Sequence, residues 1–144
     1  MFQIVSSGLL KKRAEAIEEL YHLIVDIEEI FGCFVSLIEW DNDKSKDELQ
    51  KEGGERLLEF LRKFKKNRIY FSTDTLCKLQ LFADSIYSCT IDFSFALRMK
   101  LDGECPRDFT KQWVEANENY QKEIPKIRET IENEFRSLLC DEKI

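Results

Sequence analysis

Between Asn67 and Leu101 apolar or small side chains stand at Leu76, Leu79, Ala83, Ile86, Thr90, Phe93 and Leu97. The steps alternate between three and four residues, so a helix keeps all of them on one face for about six turns, whereas a strand would scatter them over both sides. A stripe of that length commits the chain to packing one side of a long helix against other helices. It makes this segment the spine of a helical bundle and leaves no room for a sheet there.

The other segments repeat the pattern. Leu10, Ile17, Ile24, Phe31 and Ile38 recur every seven residues, with Leu20, Ile27 and Phe34 in a second seam and Ala16, Leu23, Ile30 and Leu37 widening it. A stripe that broad suits a bundle helix with two neighbours better than a two-stranded coiled coil. This first helix is expected to start at the hydroxyl caps Ser6 or Ser7 and to end near Trp40, before Asp41-Asn42-Asp43. Ser45-x-x-Glu48 reads as a capping box for a second helix with Leu57, Phe60, Leu61 and Phe64 on its face. Gly53-Gly54 inside it either interrupts the helix or lets it approach another backbone closely. Lys and Arg crowd its C-terminal turns, where helix carbonyls favour cations, and Asn67 is the expected left-handed stop.

An extended turn through Ile69, Tyr70 and Phe71 should lead to Ser72 or Thr73 as the cap of the third helix. So short a connector makes the second and third helices antiparallel neighbours. Asp102-Gly103 and Pro106 end the third helix. A fourth should run from about Asp108 to Cys140 on Trp113, Ala116, Tyr120, Ile124, Ile127, Ile131, Phe135 and Leu138. Pro125 within it removes one backbone donor and crowds the preceding turn, so a kink or break is expected near Tyr120 to Ile124. The expected fold is all-α, an antiparallel up-down four-helix bundle forming a single domain over residues 1–144. The low content of breakers, five Gly and two Pro, agrees with it.

Charge and cysteine usage narrow the function classes. A net charge of -6 works against sequence-independent nucleic-acid binding over the whole surface, though not against a local basic patch. The five cysteines, Cys33, Cys77, Cys89, Cys105 and Cys140, form no C-x-x-C pair and read as reduced thiols of a cytoplasmic protein. Met1 to Gly8 has only a short apolar patch, with its basic cluster following, so no secretory signal is expected there. The most apolar window, Phe31 to Ile38, is eight residues long, where a membrane span takes about 20.

Helix patterning, the charged linker and Asn67-Arg68-Ile69-Tyr70-Phe71 followed by Leu76-Cys77 together resemble a family of uncharacterised bacterial helical proteins. In that family an N-R-I-[YF]-[FL] connector precedes an E-L-C helix, and some members carry a membrane span before the first helix. The resemblance covers most of residues 9–100 and implies a bacterial helical protein with no known activity. Asp74-Thr75 depart from the acidic residues usual there, and this sequence carries no such span.

Glu19-x-x-His22 matches half of the carboxylate-histidine pattern that di-iron bundles project inward. His22 is the only histidine and falls on the outward side of the first helix, so neither a metal site nor a nucleophile-base pair is expected. The arginine-histidine signature of a helical RNase family is also missing. No glycine-rich phosphate loop stands out, since Gly53-Gly54 alone is far too short a signal. The chain is therefore read as non-enzymatic, with no cofactor.

An up-down arrangement brings Lys11, Lys12 and Arg13 to the same pole as Arg62, Lys63, Lys65, Lys66 and Arg68. Those cations either pair with Glu132, Glu134, Asp141 and Glu142 at that pole, or stay open to an anionic membrane surface or nucleic acid. Trp40, Phe109 and Trp113 should converge at the other pole, as core or as partner-docking aromatics. Tyr70 and Phe71 either staple helices together or dock a second copy. Glu15, Glu18, Glu19, Glu28 and Glu29 read as a solvated face. The leading expectation is a helical interaction module that docks a protein partner or self-associates. The alternatives are a module peripheral at the inner membrane face or on nucleic acid, and a small-molecule-binding bundle.

Overall fold

A computed structural model describes residues 2–36, 45–101 and 106–140, with side chains over 8–36, 45–98 and 111–140. Four helices account for nearly all of them: α1 Phe2–Phe34, α2 Lys46–Lys66, α3 Thr73–Leu101 and α4 Pro106–Cys140. They form an antiparallel up-down bundle in which α1 packs chiefly on α2, α3 chiefly on α4, and α1 on α4 closes the two halves. The α2–α3 seam is sparse.

The apolar stripes meet in one core drawn from all four helices. Leu20, Ile24, Ile27, Phe31 and Phe34 of α1 lie there with Phe60 of α2, Leu79, Phe82, Ile86 and Phe93 of α3, and Ile124 and Ile131 of α4. Aromatic edges interlock along it, Phe60 against Phe82 at 5.8 Å and Phe34 against Phe93 at 4.8 Å between ring centres. Such edge-on contacts place the positive rim of one ring against the negative face of another. In α3 the buried line includes Phe82, Cys89 and Ala96. Leu76, Thr90 and Leu97, expected inside, are only half-buried, because α4 rather than α2 is the main partner and turns the helix toward it.

The chain reversals depend on named polar groups. α1 ends at Phe34, short of the expected Trp40, which lies outside the described residues. There the Lys46 ammonium donates to the carbonyls of Cys33 (2.8 Å) and Ser36 (3.0 Å), satisfying acceptors that the helix end leaves open. Ser45 caps α2 as read, its Oγ accepting from the Glu48 N–H at 3.2 Å. Asn67 stops α2 by a different device from the expected left-handed one. Its φ is -103°, and its backbone N–H and side-chain amide both donate to the Lys63 carbonyl, at 3.0 and 2.8 Å.

Arg68–Tyr70 then form a 3₁₀ turn rather than an extended one, and only Phe71 is extended. Ser72 caps α3 through the Thr75 N–H. α4 continues through Pro125 without a break, so of the expected kink or break the break is excluded. Gly53 is buried inside an intact α2, where the backbone approaches the Phe31 ring of α1. The glycine does not interrupt the helix, and what comes close to it is a side-chain ring rather than the expected second backbone. No described helix is long and apolar enough to cross a membrane.

Candidate interaction surface

At one pole the up-down order brings the start of α1, the end of α2, the start of α3 and the end of α4 together. Arg13 Nε donates to the Tyr70 carbonyl at 2.9 Å, and Lys63 sits 3.4 Å from the Glu19 carboxylate. Lys11, Lys12, Arg62, Lys65, Lys66 and Arg68 share that pole and form no ion pair among the described residues. Of the acids expected to neutralise them, Glu134 is taken by Lys78 (2.9 Å) and by the Thr75 hydroxyl (2.7 Å). Glu132 is held by Arg128 and by the Tyr21 hydroxyl at 2.9 Å. Asp141 and Glu142 lie outside the described residues.

These pairs leave their mark on protonation. The Lys78 ammonium, followed by the Thr75 hydroxyl, holds the Glu134 carboxyl below the usual range. At Glu132 burial opposes ionisation, but the Tyr21 hydroxyl and Arg128 outweigh it and lower its pKa. Glu28 departs from the solvated face assigned to it. It is half-buried against α4, 2.7 Å from Arg128, and burial raises its pKa despite that cation. Glu15, Glu18, Glu19 and Glu29 are exposed as read.

The aromatics expected to dock a partner are mostly structural. Phe71 is buried against Phe135, 6.1 Å between ring centres, so it ties the start of α3 to the end of α4 and offers no docking surface. Trp113 is half-buried, with its ring edge-on to Phe93 at 5.3 Å, inside the bundle end. Tyr70 is half-buried above Arg13, and its neighbour Ile69 is the exposed apolar residue of the turn, 83% open. Trp40 and the side chain of Phe109 lie outside the described residues.

The outer face of α3 holds what the sequence reading missed. Tyr87, Ile91 and Phe95 are 61, 47 and 58% exposed. At steps of four they form one apolar ridge on the exposed side of α3, with Asp84 and Arg98 one turn beyond its ends. Three large apolar side chains in a row are more than isolated surface hydrophobes. The cue was present in the sequence, since α3 is apolar over most of its circumference and one side had to be left outside.

A surface cleft of about 310 Å³ lies between α1 and α4, bounded by Glu28, Gly32, Cys33, Tyr120, Gln121 and Pro125. The Tyr120 hydroxyl that reaches it already donates to the Glu28 carbonyl, and burial raises the Tyr120 pKa. His22 is exposed, as read. Among the described residues no group of three His, Cys, Asp or Glu side chains converges on a point that would hold a metal ion. Cys33, Cys77, Cys89 and Cys140 are unbridged. No protein-family model matches this chain, and no curated protein or solved structure does either.

Proposed function

We propose that the protein is a non-enzymatic helical interaction module that docks another protein surface through the outer face of α3. The ridge of Tyr87, Ile91 and Phe95 carries this reading, because a bundle with a filled core gains nothing in stability from leaving large apolar groups in water. Flanking charges at Asp84 and Arg98 supply the polar rim that docking surfaces share. A bacterial cytoplasmic setting, with reduced thiols, belongs to the same reading; the family resemblance rests on its motif alone.

Photo-crosslinking tests it. A crosslinking side chain placed at position 91 in cells should give protein adducts, while one at the exposed Glu55 of α2 should not. Equal yields at both positions would remove the α3 face as a docking surface. A second reading, a basic pole for an anionic membrane surface or nucleic acid, is favoured by Glu132 and Glu134 being committed elsewhere while Lys65, Lys66 and Arg68 have no acidic partner among the described residues. Co-sedimentation with phosphatidylserine vesicles or with duplex DNA at low and high salt tests it, and binding insensitive to salt, or none, refutes it. The small-molecule reading has less support, because the α1–α4 cleft is open to solvent and its phenol is already hydrogen-bonded.

A further inference from the structure

Along the outer face of α3 the spacing Asp84, Tyr87, Ile91, Phe95, Arg98 runs in steps of three, four, four and three, and reads the same from either end. At about 100° per residue these five positions fall within a stripe roughly 80° wide, narrow enough to form one helix-helix seam. Each is exposed. Asp84 accepts from the Gln80 amide of its own helix at 2.9 Å, and neither Asp84 nor Arg98 has an ion pair among the described residues.

Resting on the docking reading above, the geometry points to a second copy of this chain as the occupant, with the two α3 helices antiparallel about a two-fold axis at Ile91. When helices pair antiparallel, facing residues have a constant sum of positions. Centring on Ile91 places Ile91 on Ile91, Tyr87 on Phe95 and Asp84 on Arg98 of the copy. A two-fold interface must be complementary to itself, and here the opposite charges sit at equal distances on either side of the centre. Both charged pairs are therefore satisfied at once, and both aromatic pairs have the reach for edge or offset stacking. A parallel pairing would set Asp84 against Asp84 and Arg98 against Arg98, so the charges select the antiparallel sense as well as the register.

A seam of about four turns buries less than the roughly 1,200 Å² of a standard stable interface, so the dimer belongs to the weak, reversible class. Its mass is best followed by sedimentation velocity or light scattering across about three decades of concentration, up to the millimolar range. The wild-type chain should rise toward twice the monomer mass. Asp84→Arg and Arg98→Asp should each weaken self-association about tenfold or more, since the two-fold axis makes each change act twice. The double variant, which rebuilds the pairs with their signs exchanged, should return to within about threefold of wild type by the same reasoning. Both sites are exposed, so an unchanged helical circular dichroism signal and melting temperature serve as the fold control.

A wild-type chain that stays monomeric throughout overturns the proposal, and so does a double variant no tighter than the single ones. The two readings fail separately. A monomeric chain whose position-91 crosslinks in cells carry a different protein removes the self-pairing and leaves the docking module. A monomeric chain without such crosslinks removes both.

Discussion

Gly53 and Gly54 are adjacent in α2, yet the structure assigns opposite outcomes to the same substitution. Replacing a glycine inside a helix by alanine is worth about 1 kcal/mol through backbone entropy, if the methyl group finds space. At Gly54 a Cβ meets nothing within 4 Å, so Gly54→Ala should gain that amount, raising the melting temperature roughly 3–4 °C for a chain of this size. At Gly53 the same carbon falls 2.6 Å from Cζ of Phe31, and 2.8 and 2.9 Å from its two Cε atoms. Phe31 is 2% exposed and sits edge-on to Phe34, so its ring has little room to swing aside. Overpacking a filled core costs about 1–3 kcal/mol, set against the propensity gain of about 1 kcal/mol. Gly53→Ala should therefore lose up to about 2 kcal/mol, lowering the melting temperature by as much as about 6 °C. Thermal and urea unfolding of the two variants beside wild type would measure the gap, and Phe31→Leu combined with Gly53→Ala should recover part of the loss non-additively. If Gly53→Ala melts at or above wild type and matches Gly54→Ala, the close contact between α1 and α2 is not as described.

Two further perturbations address the polar ties. Glu134 has its pKa lowered by Lys78 and Thr75, so its contribution to stability is present above the unfolded carboxyl value, near 4.3, and is lost as pH falls through the lower folded value. Glu134→Gln should cost about 1 kcal/mol at neutral pH and converge with wild type as acid protonates the folded carboxyl; a deficit that stays constant with pH would show that the ionised pair is not its source. Lys46→Met keeps an apolar stem near Phe93 but removes the ammonium from the Cys33 and Ser36 carbonyls. Urea titration should register a loss of roughly 1–2 kcal/mol, and an unchanged midpoint would refute the cap.

Periodicity was enough to read the four helices and their up-down order, and local chemistry gave the cap at Ser45 and narrowed the third to Ser72 or Thr73, of which Ser72 serves; the cap read at Ser6 or Ser7 is wrong, because α1 begins at Phe2 and runs through both serines. Periodicity found the inward side of α3 through Leu79, Ala83, Ile86 and Phe93, but set the centre of that side too far toward Thr90. With Leu76, Phe82, Tyr87, Ile91 and Phe95 spread around that helix, both a seam through Thr90 and one through Phe82 and Cys89 satisfy the helical period. Packing against α4 selected the second, and the ridge of Tyr87, Ile91 and Phe95 follows from that rotation. Glu28 was misread for a related reason. Its pairing with Arg128 spans most of the chain, and no local pattern announces it. The stop at Asn67 was located correctly, but its side-chain amide replaced the backbone conformation expected there.

The strong packing of α1 on α2 and of α3 on α4 joins segments that are neighbours along the chain, while the seam between α2 and α3 is thin. Each hairpin can thus collapse on its own with a short loop to close, the arrangement that makes helical proteins fast folders. The final event is then a docking of two prebuilt halves along α1 and α4, secured by Tyr21 on Glu132 and Glu28 on Arg128. Acid and salt act on those ionic and partly wet ties, while the hydrocarbon that also crosses the join, Phe34 on Phe93 and Phe60 on Phe82, is left untouched by either.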